Sequence, residues 1–226
     1  MAHWIIRLYR NELIGCIFHT PLYCLRRALR GCSSALDLGC GPDSSLQYCN
    51  IAYSIGVDIF LPFIELSKKK RIHQGYIAAD IPRIDFKPKS FDAVVLIEVL
   101  EHLSKEEGAE LLEKAQGWAR KKVIVSTPNG FLPQAGLSGN PYETHRSGWK
   151  VGELKHRGYE ACGMAGWKFL RKENTQEGYG VSGNAIFSTI RFRPRVFWVA
   201  VSALTQLFTY YFPVLAHSVF YVKDIP

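Results

Sequence analysis

Residues 35–45 read Ala-Leu-Asp-Leu-Gly-Cys-Gly-Pro-Asp-Ser-Ser, and this stretch decides the fold. An apolar run that ends in an acid and two glycines predicts a strand, a sharp turn and then a helix. Glycines let the backbone turn tightly and approach a ligand closely, and open α/β sheets bind ligands at the carboxyl ends of their strands. A dinucleotide fingerprint would need a third glycine at position 44, where Ser44 stands. The stretch therefore predicts a ligand-binding turn without completing that fingerprint.

Short apolar runs alternate with amphipathic stretches on both sides of this turn. Five runs predict strands: SALDL (34–38), SIGVDI (54–59), YIAAD (76–80), FDAVVLIEV (91–99) and KVIVST (122–127). Residues 61–71 and 104–120 predict helices, the first from its early proline and the second from the capping box of Ser104 and Glu107. This alternation predicts a doubly wound, mostly parallel α/β sheet.

The pattern changes after Pro128. Residues 128–149 are rich in Gly, Pro and Asn and predict a long functional loop, followed by a helix over 149–157 and a strand over 158–170. We expect one domain of 226 residues, divided into an N-terminal helical segment (1–31), a cofactor-binding core (32–130) and a remainder (131–226) with the substrate loop, an apolar helix and the final strands.

Acidic residues end the strands next to the glycine turn. Asp58 lies 19 residues after Gly39, at the end of the second predicted strand, where an acid accepts hydrogen bonds from ribose hydroxyls. Asp80 ends the third predicted strand in the same way. Two glycines and several acids in this register indicate a site for a nucleoside-containing ligand.

These motifs also carry a resemblance. Five motifs resemble, in order and spacing, those of class I S-adenosylmethionine-dependent methyltransferases, especially the type-11 group. They are LDLGCGPDSS, GVDIF, the Ala-Ala-Asp that ends at Asp80, SFDAVVLIEVLEHL and VIVSTPN. The resemblance covers residues 34–130 and departs from the family at Asp43, where a third glycine is frequent. It implies a seven-stranded Rossmann-like sheet with an antiparallel last strand, and S-adenosylmethionine as the cofactor.

The resemblance assigns roles residue by residue. It places Asp37, Gly39 and Gly41 against the methionine end of the cofactor, Asp58 against the ribose and Asp80 against the adenine amino group. The full set of expected cofactor-binding residues is Asp37, Gly39, Cys40, Gly41, Asp58, Ile59, Asp80, Ile81 and Glu98. Because S-adenosylmethionine carries a sulfonium cation and no pyrophosphate, acids beside the turn would favour its binding.

The fourth strand leads into a second cluster. Glu98, Glu101 and His102 have the i, i+3, i+4 spacing that shares one helix face, and His145 stands in the loop beyond. They could bind Mg²⁺, Mn²⁺ or Zn²⁺, or Glu98 could line the adenosine pocket while Glu101 and His102 make structural hydrogen bonds. A similar Glu-x-x-Glu-His with a downstream His occurs in ubiquinone-type O-methyltransferases and small-RNA 3′-end 2′-O-methyltransferases. His145 and His102 are also the candidate catalytic bases.

Composition limits the class of protein. The chain is 47% hydrophobic and carries 28 basic against 20 acidic residues, which excludes disordered and collagen-like chains. Its six cysteines have no disulfide-framework or zinc-ribbon spacing, so we expect a cytoplasmic, reducing location. The formal net charge of +8 comes from both ends of the chain, since residues 32–144 sum to −2. The basic ends could meet an anionic partner, whereas the slightly acidic centre suits a cationic cofactor.

A run of 27 residues, 196–222, has no Asp, Glu, Lys or Arg. It is long enough to span a bilayer, but Pro213 and the run Val219–Val222 predict a helix followed by a returning strand. Three arginines and several aromatic residues near its start favour peripheral membrane contact through residues 191–212.

The sequence leaves three functions open. The first is an enzyme that methylates a small or lipid-linked acceptor, most plausibly at oxygen, by SN2 displacement. The second is an RNA 2′-O-methyltransferase with a metal-assisted site, which the sequence favours less because it has no recognised RNA-binding motif. The third is a non-catalytic, membrane-associated protein that binds a nucleoside cofactor.

Overall fold

The computed structural model describes residues 10–134, 140–172 and 189–226. Within these ranges seven strands form one sheet in the order β3-β2-β1-β4-β5-β7-β6. The strands are β1 (Ser34–Leu38), β2 (Tyr53–Asp58), β3 (Gly75–Ala78), β4 (Phe91–Ile97), β5 (Ala119–Pro128), β6 (Glu160–Trp167) and β7 (Ala216–Asp224). β7 lies antiparallel between β5 and β6, and the other neighbouring pairs are parallel. The predicted mostly parallel, Rossmann-like sheet with an antiparallel last strand is confirmed.

Helices follow or precede these strands at the positions that local signals predict. They are α1 (Glu12–Phe18), α2 (Pro21–Ala28), α3 (Leu61–Lys70), α4 (Lys105–Trp118), α5 (Val151–Lys155) and α6 (Arg195–Thr209). The predicted capping box opens α4: Ser104 Oγ accepts from the Glu107 N–H, and the Glu107 carboxylate accepts from the Ser104 N–H. The helices predicted over 61–71, 104–120 and 149–157 are thus confirmed, with shorter bounds.

The sheet separates two buried clusters. Val94 and Leu96 of β4 point to the face covered by α4, while Ala93 and Val95 point to the face covered by α2. This alternation follows from the two-residue period of a strand. Because both faces are covered, the central strands are apolar throughout, and each fully buried Leu or Val contributes about 1.5–3 kcal/mol.

The helix predicted directly after the glycine turn is wrong. The chain forms only a short 3₁₀ helix, Ser45–Tyr48, before it enters β2. The face that such a helix would cover is occupied instead by α2, whose Leu25 belongs to the same buried cluster as Leu46. A segment before β1 thus supplies the packing, which the local pattern after Gly41 does not encode.

The uncharged run forms a helix and a strand, as predicted. α6 ends at Thr209, a 3₁₀ helix covers Pro213–Leu215, and β7 returns to the sheet between β5 and β6. In the described ranges, none of the helices combines the length and the apolarity that crossing a bilayer requires. The strand predicted over 158–170 is shorter than expected, because Lys168–Leu170 form a 3₁₀ turn after it. Within β6, Ala165 and Gly166 adopt positive φ where the register with β7 shifts.

Candidate active site

A cavity of about 560 Å³ opens at the carboxyl ends of β1, β2 and β4. All nine residues expected to bind the cofactor line it: Asp37, Gly39, Cys40, Gly41, Asp58, Ile59, Asp80, Ile81 and Glu98. They come from four separate strand ends, and the parallel sheet brings these ends to one edge. Their role in cofactor binding stays a prediction, but their convergence on one cavity is a property of the fold.

The two glycines of the turn serve different purposes. Gly39 has φ +67°, and a Cβ there would lie 2.6 Å from Val99 Cγ2, so a side chain at this position would collide with the turn after β4. Gly41 has φ +55°, and a Cβ there would meet no atom within 4 Å. The space beside Gly41 belongs to the cavity, which gives a ligand access to the backbone.

Asp58 connects the glycine turn to the second strand. Its Oδ2 accepts from the Gly41 N–H at 2.9 Å and its Oδ1 accepts from the Phe60 N–H at 2.8 Å. Burial raises the pKa of Asp58 despite these backbone donors. Each carboxylate oxygen accepts one backbone bond here and has a further lone pair for a ligand hydroxyl.

Asp37 is buried under the turn without a close cation. Ser44 Oγ donates to its Oδ2 at 2.5 Å, and His73 Nε2 lies 3.4 Å from the same oxygen. Burial raises the pKa of Asp37 to about 7 and lowers that of His73 to about 4. A cationic group of a ligand beside Asp37 would favour its ionised form. Asp80 is half-exposed at the cavity edge, with Arg83 Nε 3.1 Å from its Oδ2.

The predicted metal cluster forms only in part. Three residues, Glu101 and His102 of one turn and His145 of a distant loop, each offer one ligand atom within 4.8 Å of the others. Glu98 is outside this group, which corrects the four-residue set. The reason is backbone conformation: Glu98 has φ +55° and only Leu100–His102 form a 3₁₀ turn, so the expected shared helix face does not exist. Glu98 instead accepts a short hydrogen bond from Ser126 Oγ.

Backbone carbonyls orient both histidines. His145 Nδ1 lies 2.5 Å from Leu132 O, and His102 Nδ1 lies 3.3 Å from Thr144 O. A carbonyl at Nδ1 selects the tautomer with hydrogen on Nδ1, in which Nε2 carries the lone pair. The two rings lie 4.9 Å apart between centroids, and burial lowers the pKa of both, that of His102 to about 4. Both are neutral at pH 7, the form that accepts a proton or binds a metal.

Buried polar atoms of this cluster test whether a divalent cation fits. Thr127 Oγ1 donates to Glu101 Oε2 at 3.0 Å, whereas Glu101 Oε1 and His145 Nε2 are buried and meet no partner of hydrogen-bond geometry among the described residues. Burial and the nearby Glu98 raise the pKa of Glu101 well above its usual value. Two imidazoles and one carboxylate form a donor set that suits Zn²⁺ or Mn²⁺. The chemistry of these residues therefore fits a metal ion.

The loop after β5 covers the opposite side of the cavity. Asn140–Thr144 and Arg146 line it, and the loop is bound to the turn after β4 by hydrogen bonds from the Arg146 and Ser147 N–H groups to Glu101 O, at 2.7 and 3.1 Å. Trp149 Nε1 donates to Leu100 O at 3.2 Å. These hydrogen bonds position the described part of the predicted functional loop, so that His145 lies next to His102. His102 lines the cavity, and His145 lies behind it.

Several lining residues escaped the sequence analysis. Pro21 and Leu25 of α2 form one wall, and the ion pair of Glu107 and Arg146, 2.9 Å long, lies at the loop side. Ser44, which donates to Asp37, lies in the glycine turn of residues 39–45. Its polar side chain in a ligand-binding turn was the sequence signal that could have identified it as a lining residue. No local pattern linked α2 to the cavity, because its contribution depends on packing between segments distant in the chain.

One family model matches the central part of the chain. Residues 36–125 match the family model described as "Methyltransferase domain". A search of curated protein sequences gives no significant match. The family match confirms the resemblance seen in the sequence and covers the glycine turn, Asp58, Asp80 and the turn after β4.

Solved structures share the fold at low sequence identity. A SAM-dependent methyltransferase from Archaeoglobus fulgidus is 19% identical at TM-score 0.54, with 94% of this chain and 98% of that chain covered. The methyltransferase domain of bacterial CtHen1-CN is 16% identical at TM-score 0.54, covering 92% and 100%. Phosphoethanolamine N-methyltransferase 1 from Haemonchus contortus is 12% identical at TM-score 0.56, covering 97% of this chain and 45% of that longer one.

Proposed function

We propose that this chain, whose core is a class I S-adenosylmethionine-dependent methyltransferase domain, transfers the methyl group to an oxygen of a small or lipid-linked acceptor. The observation that carries the proposal is the cavity itself. Acids and a glycine turn suited to the cofactor line this cavity together with His102, which is neutral at pH 7. This combination supports a reaction in which a methyl donor and a proton acceptor share one cavity.

The reaction is a displacement at one carbon. The acceptor oxygen attacks the methyl carbon, the C–S bond breaks with its electron pair on sulfur, and the hydroxyl proton leaves. Holding donor and acceptor in line supplies most of the acceleration. The oxygen becomes far more acidic as the new C–O bond forms, so even a weak base such as His102 can take its proton. His145, which packs against His102 outside the cavity, is a positioning residue in this proposal.

A metal-assisted version of the same transfer is the second candidate. Glu101, His102 and His145 would hold the ion, and the two unpartnered buried atoms of Glu101 and His145 support this assignment. When bound, a divalent cation lowers the pKa of an accepting hydroxyl. Mg²⁺, Mn²⁺ and Zn²⁺ all stay in the proposal, with two imidazole ligands favouring Mn²⁺ or Zn²⁺. The sequence resemblance to small-RNA 3′-end 2′-O-methyltransferases makes an RNA 2′-hydroxyl the acceptor to test in this version.

Two measurements test the function. Isothermal titration with S-adenosylmethionine should show one site, and labelled-methyl transfer should appear in a small-molecule or lipid extract as an O-methyl group. Label confined to RNA would favour the metal-assisted alternative. Cofactor binding without transfer to any fraction, or label on nitrogen or carbon, would contradict the proposal.

The metal version has its own readout. Metal analysis of the purified protein and of His145→Ala should show bound Mn²⁺ or Zn²⁺ lost in the variant. A protein that holds no metal and keeps full activity after exhaustive chelation would exclude this version while leaving direct transfer intact.

A further inference from the structure

The polarity of α6 is inverted relative to an ordinary surface helix. Its buried residues are polar: Ser202, Gln206 and Thr209 expose only 1, 6 and 1% of their surface. Beyond Arg195, its exposed residues are apolar and include Phe197 and Leu204, which expose 58 and 60%. The same exposed surface continues with Val196, Leu207, Phe208, Tyr211, Phe212, Val214 and Leu215. A surface helix of a soluble protein normally shows the opposite arrangement.

Hydrogen bonds to the edge strand hold the polar side inward. Gln206 Nε2 donates to Gly163 O and the Gly166 N–H donates to Gln206 Oε1, both at 2.8 Å, while the Trp167 N–H donates to Thr205 Oγ1 at 3.0 Å. These bonds satisfy β6 backbone groups where the register with β7 is interrupted. Rotating α6 would leave buried backbone groups unpaired, which costs about 1–3 kcal/mol each. The outward direction of the apolar side is therefore built into the fold.

The exposed apolar residues form one face. Phe197, Leu204 and Phe208 have i, i+7, i+11 spacing, which puts them in one line along the helix. Phe208 stacks on Phe212 with ring centroids 4.4 Å apart, so the face continues past the end of α6. Single exposed apolar side chains are ordinary, but a continuous face of this kind marks a binding surface.

Aromatic rings and arginines cluster at the start of α6. The rings of Trp167, Phe169, Phe192 and Trp198 lie in a chain with neighbouring centroids 5.3, 5.8 and 4.9 Å apart. The side chains of Arg191, Arg193 and Arg195 are exposed beside them. Residues 161–172 and 189–223 contain no Asp or Glu, so no acid of these described segments neutralises the arginines. Aromatic belts with unneutralised arginines suit the headgroup region of an anionic bilayer.

We infer that α6, the segment Tyr211–Leu215 and the aromatic-arginine cluster form a surface that binds an anionic lipid bilayer, with the helix lying in the interface. Charge complementarity selects this occupant over a second copy of the chain, because two such faces would bring their arginines together. The membrane contact goes beyond the proposed methyl transfer and does not depend on it.

The position of this membrane-binding surface favours a lipid-linked acceptor. Asn129, which follows β5, donates through Nδ2 to the carbonyls of Pro213, Val214 and Ala216. This places exposed Val214 at the carboxyl end of β5, and nearby Ser218 lines the cavity. A bilayer on this surface would lie beside the cavity, where a lipid-linked hydroxyl could enter. This step alone rests on the proposed function.

Co-sedimentation with vesicles tests the surface. We expect the full chain to sediment with phosphatidylcholine vesicles that contain about 30–40% phosphatidylglycerol, which gives the vesicles an anionic surface. It should sediment less with vesicles of pure phosphatidylcholine. Phe197→Asp with Leu204→Asp should lower binding at least about 10-fold, because charges are costly in the interface. Arg193→Ala with Arg195→Ala should remove most of the preference for anionic vesicles.

A matched control separates this effect from general surface charge. Leu66→Asp on α3 alters an exposed leucine away from the surface and should bind vesicles like the wild type. Thermal unfolding and S-adenosylmethionine titration of each variant show that the fold and the cofactor site are intact, so failure of membrane binding is distinct from failure of methyl transfer. A wild-type chain that stays in the supernatant at low salt, whether monomeric or self-associated, would overturn the inference.

Discussion

Asp92 and Glu98 lie at opposite ends of one strand, β4, and their surroundings differ in kind. Asp92 accepts from the Ser33 N–H and Oγ at 2.8 Å and from Arg120 Nε at 2.9 Å. Burial alone would raise its pKa, but these donors and Lys121 outweigh burial and hold the pKa well below its usual value. Glu98 is buried beside Glu101, and burial raises its pKa. At the amino edge Asp92 is paired with two cations, whereas at the carboxyl edge the buried acids Asp37 and Glu98 form no ion pair with a Lys or Arg of the described residues.

Two glycines repeat this contrast on β1. Gly31 precedes the strand with φ +77° and Gly41 follows it with φ +55°, and neither would bring a Cβ within 4 Å of another atom. The space beside Gly31 is solvent, while the space beside Gly41 is the cavity. Positive φ at Gly31 therefore serves only the backbone turn. Positive φ at Gly41 serves the turn and also leaves space for a ligand. Variants at the two edges should separate stability from cofactor binding.

The largest effect is expected at Asp58. Asp58→Ala removes the acceptor of the Gly41 N–H and the predicted acceptor of two ribose hydroxyls. With that predicted role, the variant should weaken S-adenosylmethionine binding at least about 100-fold, since a hydrogen bond to a charged group contributes about 1.5–3 kcal/mol. Isothermal titration measures this loss. Unchanged affinity would show that the second-strand acid does not bind the cofactor.

Asp92→Asn should produce the complementary result. It removes the negative charge between Arg120 and Lys121 and should lower the free energy of unfolding, measured in urea titrations, by about 2 kcal/mol. The side chains of Arg120 and Lys121 are partly exposed, so solvent screening limits this loss of stability. Because the wild-type pKa is depressed, the Asp92 contribution is present above about pH 4 and is lost as the pH falls further. Cofactor affinity should stay within about 2-fold of wild type; a larger change would break the contrast between the edges.

Asp37→Asn should show the opposite pH dependence. The raised pKa of Asp37, about 7, means that its buried carboxyl favours folding when protonated and costs stability as the pH rises from about 4 through 7. The variant should therefore be more stable than the wild type at pH 8, by up to about 4 kcal/mol at about 1.36 kcal/mol per pKa unit, and nearly equal at about pH 4 and below. It should also bind the cofactor more weakly, since a cationic ligand loses its counterion. Lower stability at pH 8 would contradict this account.

The smallest effects are expected for Gly31→Ala and Gly41→Ala, which make the same substitution at opposite edges of the sheet. Gly31→Ala and Gly41→Ala each place a side chain at positive φ and should each cost about 1 kcal/mol of folding stability. Only Gly41→Ala should reduce S-adenosylmethionine affinity, by roughly 10-fold if the backbone approaches the ligand closely. Equal affinities in both variants would remove Gly41 from the binding surface.

Local signals predicted much of the core. The five parallel strands, the capping box of α4 and the acids at strand ends follow from apolar periodicity and from residues a few positions apart. The helix expected after Gly41 was wrong because α2, from before β1, covers that face. Glu98 fell outside the metal group because its own backbone turns at positive φ, which residue spacing alone does not reveal.

The positions of five strands along the chain, the glycine turn and the acids that meet at one edge followed from the sequence, because strand period and turn chemistry are local properties. Only the tertiary structure decided that His145 reaches His102, and that the polar stripe of α6 faces inward. Both depend on backbone groups far away in the chain: Glu101 O holds the loop that carries His145, and Gly163 O receives the amide of Gln206. A hydropathy pattern specifies which side of a helix is apolar, but its hydrogen-bond partners decide which side is buried.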